Sequence, residues 1–569
     1  MTRPALVLSA AVLAALVGGG AATAQPIPPD PLPSDAPEYV GAPAEPRPYW
    51  VPRAPQHPFM SANPGNNIHD DAYMTDTYRR TGPLGVEPSS TSTFQAAECA
   101  TLTFDSHGRI ETVCVGATTP TLKLFDPVTL EELASYDLPD REPGADTFTD
   151  FSGGGYFYLD DQDRAVIPTT SRHIEVVGQT EDGTAFELVR DYDLTSVMAD
   201  DDKIMSSIPA WGGRLYFVTQ QGVVGIVKPR SGDVEALDLQ EEIANSFAVD
   251  EDGGVYIVTA KAMYRIDTGR AGKPRVTWRE VYKNSGEQKP GQVSAGSGTT
   301  PTVMGKRWVT ITDNADPMHV VVYRRGAHVR GNRVVCTVPV FDKGASATDN
   351  SLIAAGRAIV VTNNYGYAGP AGTSTGSTTT PGITRVDVDR DGRGCHVVWE
   401  NTEERSPSAV PKLSLANGLV YTVGQYEDGS DGGWYLVALD FRTGELAYKY
   451  RYGTGLGYNN NYAPVSIGPD GSAYIGALGG LVRVADSTPP QVPNVRPQLR
   501  LERELEFRAK LEVTVAGPSR EWVDRAVFLL DGERVRVDRT APYRAVLPDH
   551  EDFRVRVRMT DGSRVTLRR

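Results

Sequence analysis

From about residue 98 to 487 the chain repeats one pattern of apolar and polar positions. A polar lead-in precedes a short β-branched or aromatic run, a Gly/Asp turn follows, and a second apolar run comes after the turn. In order these units read TLTFDSHGRIETVCVG, GGGYFYLDDQDRAVIPT, IPAWGGRLYFVTQQGVVGIV, SFAVDEDGGVYIVTAKAMYRI, PTVMGKRWVTITDN, NSLIAAGRAIVVTNNYGY, KLSLANGLVYTVGQY and PVSIGPDGSAYIGALGGLVRV. Runs this short, bounded by Gly and Asp, are strands rather than helices. A period of about 49 residues leaves each unit room for one four-stranded antiparallel sheet. A lone sheet of that size cannot bury its faces, so the units must stack on one another. Radial stacking gives a β-propeller; a solenoid has shorter coils, and a sandwich has no place for eight copies. The pattern therefore predicts an all-β fold, with an eight-bladed β-propeller over 98–487. Seven blades is the alternative if one weak unit is a split neighbour.

The flanks break the pattern. Residues 1–24 carry Arg3, an Ala/Leu/Val run to Val17 and the small-x-small site Ala22-Thr23-Ala24, as a secretory signal peptide does. Residues 25–60 are proline-rich, which disfavours helix and sheet and predicts an extended leader. Residues 61–97 hold short polar side chains without apolar periodicity and are expected to form a strap across the larger fold. A hinge at 488–498, STPPQVPNVRP, leads to 499–569, where apolar and charged residues alternate around Asp-Gly turns. That stretch suits a small β-sandwich.

Composition sharpens the compartment and the partners. Gly 57 and Pro 41 in 569 residues favour turns and short strands. A net charge of −15 argues against nucleic acid as the main partner, and no later segment is apolar enough to span a bilayer. Basic residues outnumber acidic ones only from about residue 496 on, a change of sign that marks a domain boundary. The chain has four cysteines, which in an exported protein are expected to pair. Cys99 and Cys114 lie equidistant from the turn Ser106-His107-Gly108, and Cys336 and Cys395 sit in similar contexts of successive units. Both bridges are structural, since no Cys-x-x-Cys occurs.

Candidate chemistry is sparse. In NNIHDDAYMTDTY (66–78), His69, Asp70, Asp71 and Asp76 are of the types that ligate Zn²⁺, Mn²⁺ or Fe²⁺, and His69 and Asp70, with Asp349, are the catalytic candidates. The alternative for this stretch is a polar strap hydrogen-bonded to blade loops. The polar lead-ins to the innermost strands should converge on a central funnel, which nominates Asp150, Asn245, Asp349, Asn350, Asn460 and Asn461 as ligand-binding residues. Aligning the fourth unit on Tyr256 and the sixth on Val360 gives Asn245 and Asp349 the same offset. Such a ring of amides and carboxylates could hold Ca²⁺. DVDRDGRGC opens like a calcium loop with Asp387, Asp389 and Asp391, but its twelfth position is Val398, where a calcium loop needs glutamate, so a plain hairpin turn competes.

ALDFRTGELAYKY resembles the PQQ-like repeat of quinoprotein alcohol dehydrogenase-type propellers, in which Asp-x-x-Thr-Gly makes the outer hairpin turn. SFAVDEDGGVYIV resembles units of SMP-30/gluconolactonase-type propellers, and FLLDGERVRVDRTAPY is similar to bacterial Ig-like domains. The chain has no Cys-Cys dipeptide and lacks the tryptophan that closes the quinoprotein repeat, which argues against PQQ and against dehydrogenase activity. No Gly-x-Ser-x-Gly is present for a serine hydrolase. The leading expectation is a secreted, monomeric propeller that binds a small molecule or an extracellular protein or polysaccharide in its funnel, with an Ig-like module for attachment. The alternative is a Ca²⁺-dependent hydrolase of lactonase type.

Overall fold

The computed structural model describes residues 24–488, apart from short stretches at 31–34, 63–64, 144–147, 149, 151, 374–378 and 426–431. Beyond them it describes 498–503, 510–516, 523–548, 553–559 and 564–568. The signal-peptide region and almost all of the expected hinge lie outside the described residues.

Several of the turns are closed locally by their own aspartate. Asp105 Oδ1 accepts from the amides of His107 and Arg109 at 2.9 and 2.8 Å, with Gly108 at φ +80°. Asp160 and Asp250 do the same two and four residues on. At the outer hairpins, Asp126 and Asp440 each accept from the second and third amides that follow. These Asx turns occupy the Asp and Gly positions that punctuate the sequence.

The turns join strands into antiparallel sheets. The first runs Glu98–Phe104, Ile110–Val115, Thr121–Phe125 and Glu132–Asp137 in neighbouring order. The order repeats in sheets spanning 158–193, 204–238, 248–281, 302–339, 353–401 and 412–454. A last sheet combines Val465–Ile467, Ala473–Ala477 and Gly480–Ala485 with Ser89–Phe94, taken from far upstream in the chain. Innermost strands pack side by side in sequence: Ile204–Pro209 on Ala248–Val249, that on Thr302–Met304, and that on Ile353–Ala355. The last sheet returns to the first, with Ala473–Ala477 against Glu98–Phe104. A ring of four-stranded sheets closed in this way is a β-propeller.

Middle strands lie between two neighbouring sheets and lose both faces to the core, so Leu215–Thr219, Trp308–Thr312 and Ala358–Thr362 are buried throughout. Outer strands face solvent on one side or both, as in Phe186–Asp193. Both expected disulfides form: Cys99–Cys114 within the first sheet, where the two residues pair directly, and Cys336–Cys395 between the outer strands of adjacent sheets.

Two expectations shift. The propeller takes a strand from the region expected to be strap, because the last sheet would otherwise leave the backbone of Gly480–Ala485 unpaired at its edge. The proline-rich leader contributes the short strand Tyr39–Gly41 to the edge of the 412–454 sheet, where its prolines do not interrupt a ladder.

The C-terminal residues form two further sheets. One orders Gln498–Arg503, Lys510–Ala516 and Arg544–Pro548; the other orders Glu533–Asp538, Val523–Leu530, Phe553–Met559 and Arg564–Arg568. Their apolar faces meet through Val513, Val515, Ala545, Phe528, Val555 and Val557. Arg390 of the propeller donates to the Val523 carbonyl and the Tyr543 hydroxyl at 2.7 and 2.6 Å.

Candidate functional site on the propeller axis

The strap runs along the inner rim of the ring. The amide of Phe104 donates to the Gly65 carbonyl, Leu159 to Asn66, Val249 to Ala72, Val303 to Tyr73, Ala354 to Thr75, Leu413 to Asp76 and Leu415 to Tyr78, all between 2.7 and 3.2 Å. Thr77–Tyr78 also pairs in parallel with Lys412–Ser414. Six of the innermost strands thus satisfy inward amides on one continuous segment, which satisfies its own carbonyls in return.

Its aspartates shape that segment. Asp70 and Asp76 sit at φ +74° and +55°, a left-handed conformation that Asp tolerates better than most residues. Asp71 accepts from the amides of Tyr73 and Thr75 and from the Thr75 hydroxyl. The four residues nominated as metal ligands do not converge. His69 and Asp76 face one way, while Asp70 and Asp71 line a chamber on the other side. Among the described residues no group of three or more His, Cys, Asp or Glu side chains is placed to hold a metal ion.

On the lead-in side lies a cavity of about 30 Å³, bordered by Glu98, Tyr156, Asn245, Asp349, Asn461 and Tyr462, with His69 and Ser351 at its base. It has room for about one water-sized species. Burial pushes the Glu98 and Asp349 carboxyls up to about 8. Asn461 donates to Glu98 at 3.0 Å, and the Val293 amide donates to one oxygen of Asp349, whose Oδ1 has no hydrogen-bond partner among the described residues. Asp349 approaches closely because position 298 is glycine; a Cβ there would stand 2.1 Å from Asp349 Oδ1. Beneath the cavity, His69 Nδ1 is 3.1 Å from Asp76 and its Nε2 is 3.5 Å from Ser351 Oγ. Burial lowers the imidazole's proton affinity against the pull of Asp76. Asp76 is ion-paired with Lys412, and both side chains are fully buried.

The other nominated residues do different work. Asn350 donates to Thr362 and to the Ala409 carbonyl, which ties two lead-ins together, and Asn460 donates to the Ala463 carbonyl within its own lead-in. Asp150 pairs with Lys203 and Arg141 and does not border the cavity. Asp387 is bound by Arg385, Asp389 by His396, and Asp391 caps the Arg393 amide; the stretch forms a hairpin turn.

Across the strap lies the chamber, about 470 Å³, roofed by leader residues 51–57 and walled by Asp70, Asp71, Arg79, Arg80 and Lys306. Burial lifts Asp70 to about 6, opposed by Arg80. Asp71 rises to about 7 through burial and then the neighbouring Asp70, opposed by its Thr75 and Tyr73 hydrogen bonds. The Arg80 guanidinium lies over the Tyr78 and Phe104 rings at 5.7 and 5.4 Å, and none of its nitrogens has a hydrogen-bond partner among the described residues. Burial also drives His57 down to about 3, so that ring is neutral.

The residue pattern nominated Asn245, Asp349, Asn461, His69 and Asp70 but missed Glu98, Tyr156, Arg79 and Arg80. Glu98 left a signal: a carboxylate beside Cys99, at the start of a strand that is otherwise apolar and threonine. The adjacent Arg79 and Arg80 left none until the strap was placed on the axis.

Comparison with known proteins gives a relative at 30% identity over 355 residues, an uncharacterised protein of Archaeoglobus fulgidus; the match covers 56% of this chain and 68% of the relative. The chain belongs to the family of that archaeal protein. No family model matches it. Among solved structures it is similar to BamB from Moraxella catarrhalis, at 13% identity and TM-score 0.45, covering 71% of this chain and 98% of that one. Streptogramin B lyase is similar at 10% identity and TM-score 0.34, covering 70% and 96%.

Proposed function

We propose that this family member is an exported, eight-bladed β-propeller that binds a small polar organic acid in the chamber beneath the strap, with its C-terminal sandwich serving as an Ig-like attachment module. The ring of four-stranded sheets, completed by Ser89–Phe94, supports eight blades. The leader sequence and the two disulfides support export. One observation carries the binding role. A walled space of about 470 Å³ lies on the axis, and small-molecule sites commonly measure roughly 300–1,000 Å³. Its walls juxtapose a buried guanidinium without an acceptor among the described residues and two carboxyls that change protonation near neutrality. A carboxylate on the ligand answers Arg80, and a hydroxyl or amine answers Asp71. Thermal-shift screening of hydroxy acids, amino acids and sugar acids at pH 6 and 8 tests this. At least one should raise Tm in the native chain and lose that effect in Arg80→Met; a flat response across the panel ends the proposal.

A second reading is favoured by Asp349 Oδ1, which has no hydrogen-bond partner among the described residues. A Ca²⁺ ion in the 30 Å³ cavity would take that oxygen, Glu98 and amide oxygens in place of two protons. Calcium should then raise Tm in the native chain and not in Asp349→Asn. Protein free of calcium after incubation and desalting excludes both this site and the lactonase-type chemistry that would depend on it.

A further inference from the structure

The outward face of the C-terminal four-stranded sheet concentrates arginine against arginine. Directly opposed residues in neighbouring antiparallel strands share a face, and the register opposes Arg554 to Arg568, Arg558 to Arg564 and Arg525 to Arg558, with Arg556 between them. Arg556, Arg564 and Arg568 are exposed, and Val555, Val557 and Met559 fill the opposite face. Like charges directly opposed weaken a sheet. The nearby carboxylate of Asp524 lies 3.8 Å from Arg558. Burial and then Arg307 of the propeller, with Arg525 and Arg564, push the Arg558 guanidinium below its usual range against the pull of Asp524. Arg564 also lines the mouth of the axial chamber with Arg53 and Lys306.

We infer that this arginine face binds an acidic polysaccharide, which deepens the attachment role proposed for the C-terminal module. Strands about 4.8 Å apart and same-face residues about 6.8 Å apart set these arginines in a close two-dimensional array along which a linear polyanion can lie. Guanidinium forks suit carboxylate and sulfate groups through paired hydrogen bonds. Nucleic acid fits less well. No aromatic residue stands among the described positions of this face to stack a base, and the chain as a whole carries −15.

The full-length protein should bind polygalacturonate, with affinity that falls as salt rises, and should not bind neutral dextran. Arg556→Glu/Arg568→Glu should weaken polygalacturonate binding at least tenfold. Its Tm should hold, because both replaced side chains are exposed, so misfolding cannot account for the loss. No binding to polygalacturonate, unchanged binding in the double variant, or tighter binding to a DNA duplex or to phosphatidylglycerol vesicles would each overturn the inference. A cell-envelope fraction separates the two levels. If the double variant is retained as well as the native chain, attachment stands and the arginine face is refuted; if neither is retained, both fall.

Discussion

His69 and Asp70 are neighbours in sequence and serve opposite sides of the same strap. On the His69 side the polar groups are crowded and mostly answered by one another: Asp76 by Lys412, Glu98 by Asn461, the imidazole by Asp76. On the Asp70 side the walls stand apart around a space about sixteen times larger, and Arg80 has no acceptor among the described residues. One chain segment therefore closes one compartment and furnishes the other. The difference comes from the leader: residues 51–57 bridge over the strap at a distance, whereas the lead-ins on the other face press directly against it. Polarity alone does not mark a binding site, since the more densely polar compartment is the one with least room.

This contrast can be broken from the centre outward. Lys412→Met should have the largest effect, because Asp76 would remain buried without its cation. Breaking such a pair costs about 3–5 kcal/mol, and an unchanged urea midpoint would show that the strap is not held there. Cys99→Ser/Cys114→Ser removes the clamp beside Glu98 and should lower stability by roughly 2–4 kcal/mol, seen as a lower urea midpoint under oxidising conditions; reductant should cost the native chain more, since it also opens Cys336–Cys395.

Asp349→Asn sharpens the contrast by pH. A carboxyl held near 8 in the folded chain and near 4 unfolded keeps its proton only when folded, so stability is full below about pH 4 and declines as pH rises through 8. The native Tm should drop between pH 6 and 9 and the variant's should drop less; parallel curves would mean that Asp349 ionises freely. Asp71→Asn should be the mildest for stability, because an amide oxygen can still accept from the Tyr73 and Thr75 amides. It removes a carboxyl that titrates near 7, so the affinity for an organic acid should lose most of its weakening between pH 6 and 8 by calorimetry. A variant that keeps the native pH profile would remove Asp71 from the binding chamber.

Sequence by itself determined the strands, the turns and the repeat. Each turn aspartate closes on amides two to four residues away, and each middle strand is an apolar run because both of its faces are buried. Those are short-range causes, written in consecutive residues. The cysteine pairs were legible for a similar reason, as positions fixed by a hairpin or by a repeat. Asn245 and Asp349 could be aligned because units of equal length bring equal offsets to the axis. What only the tertiary structure decided is the content of that axis. Arg79, Arg80 and Asp71 acquire a role once the strap is laid along innermost strands drawn from residues 104 to 415, and those contacts leave no periodicity in the strap itself. The borrowed strand Ser89–Phe94 was hidden in the same way, since what makes it a strand is an unpaired edge at Gly480–Ala485, at the far end of the propeller.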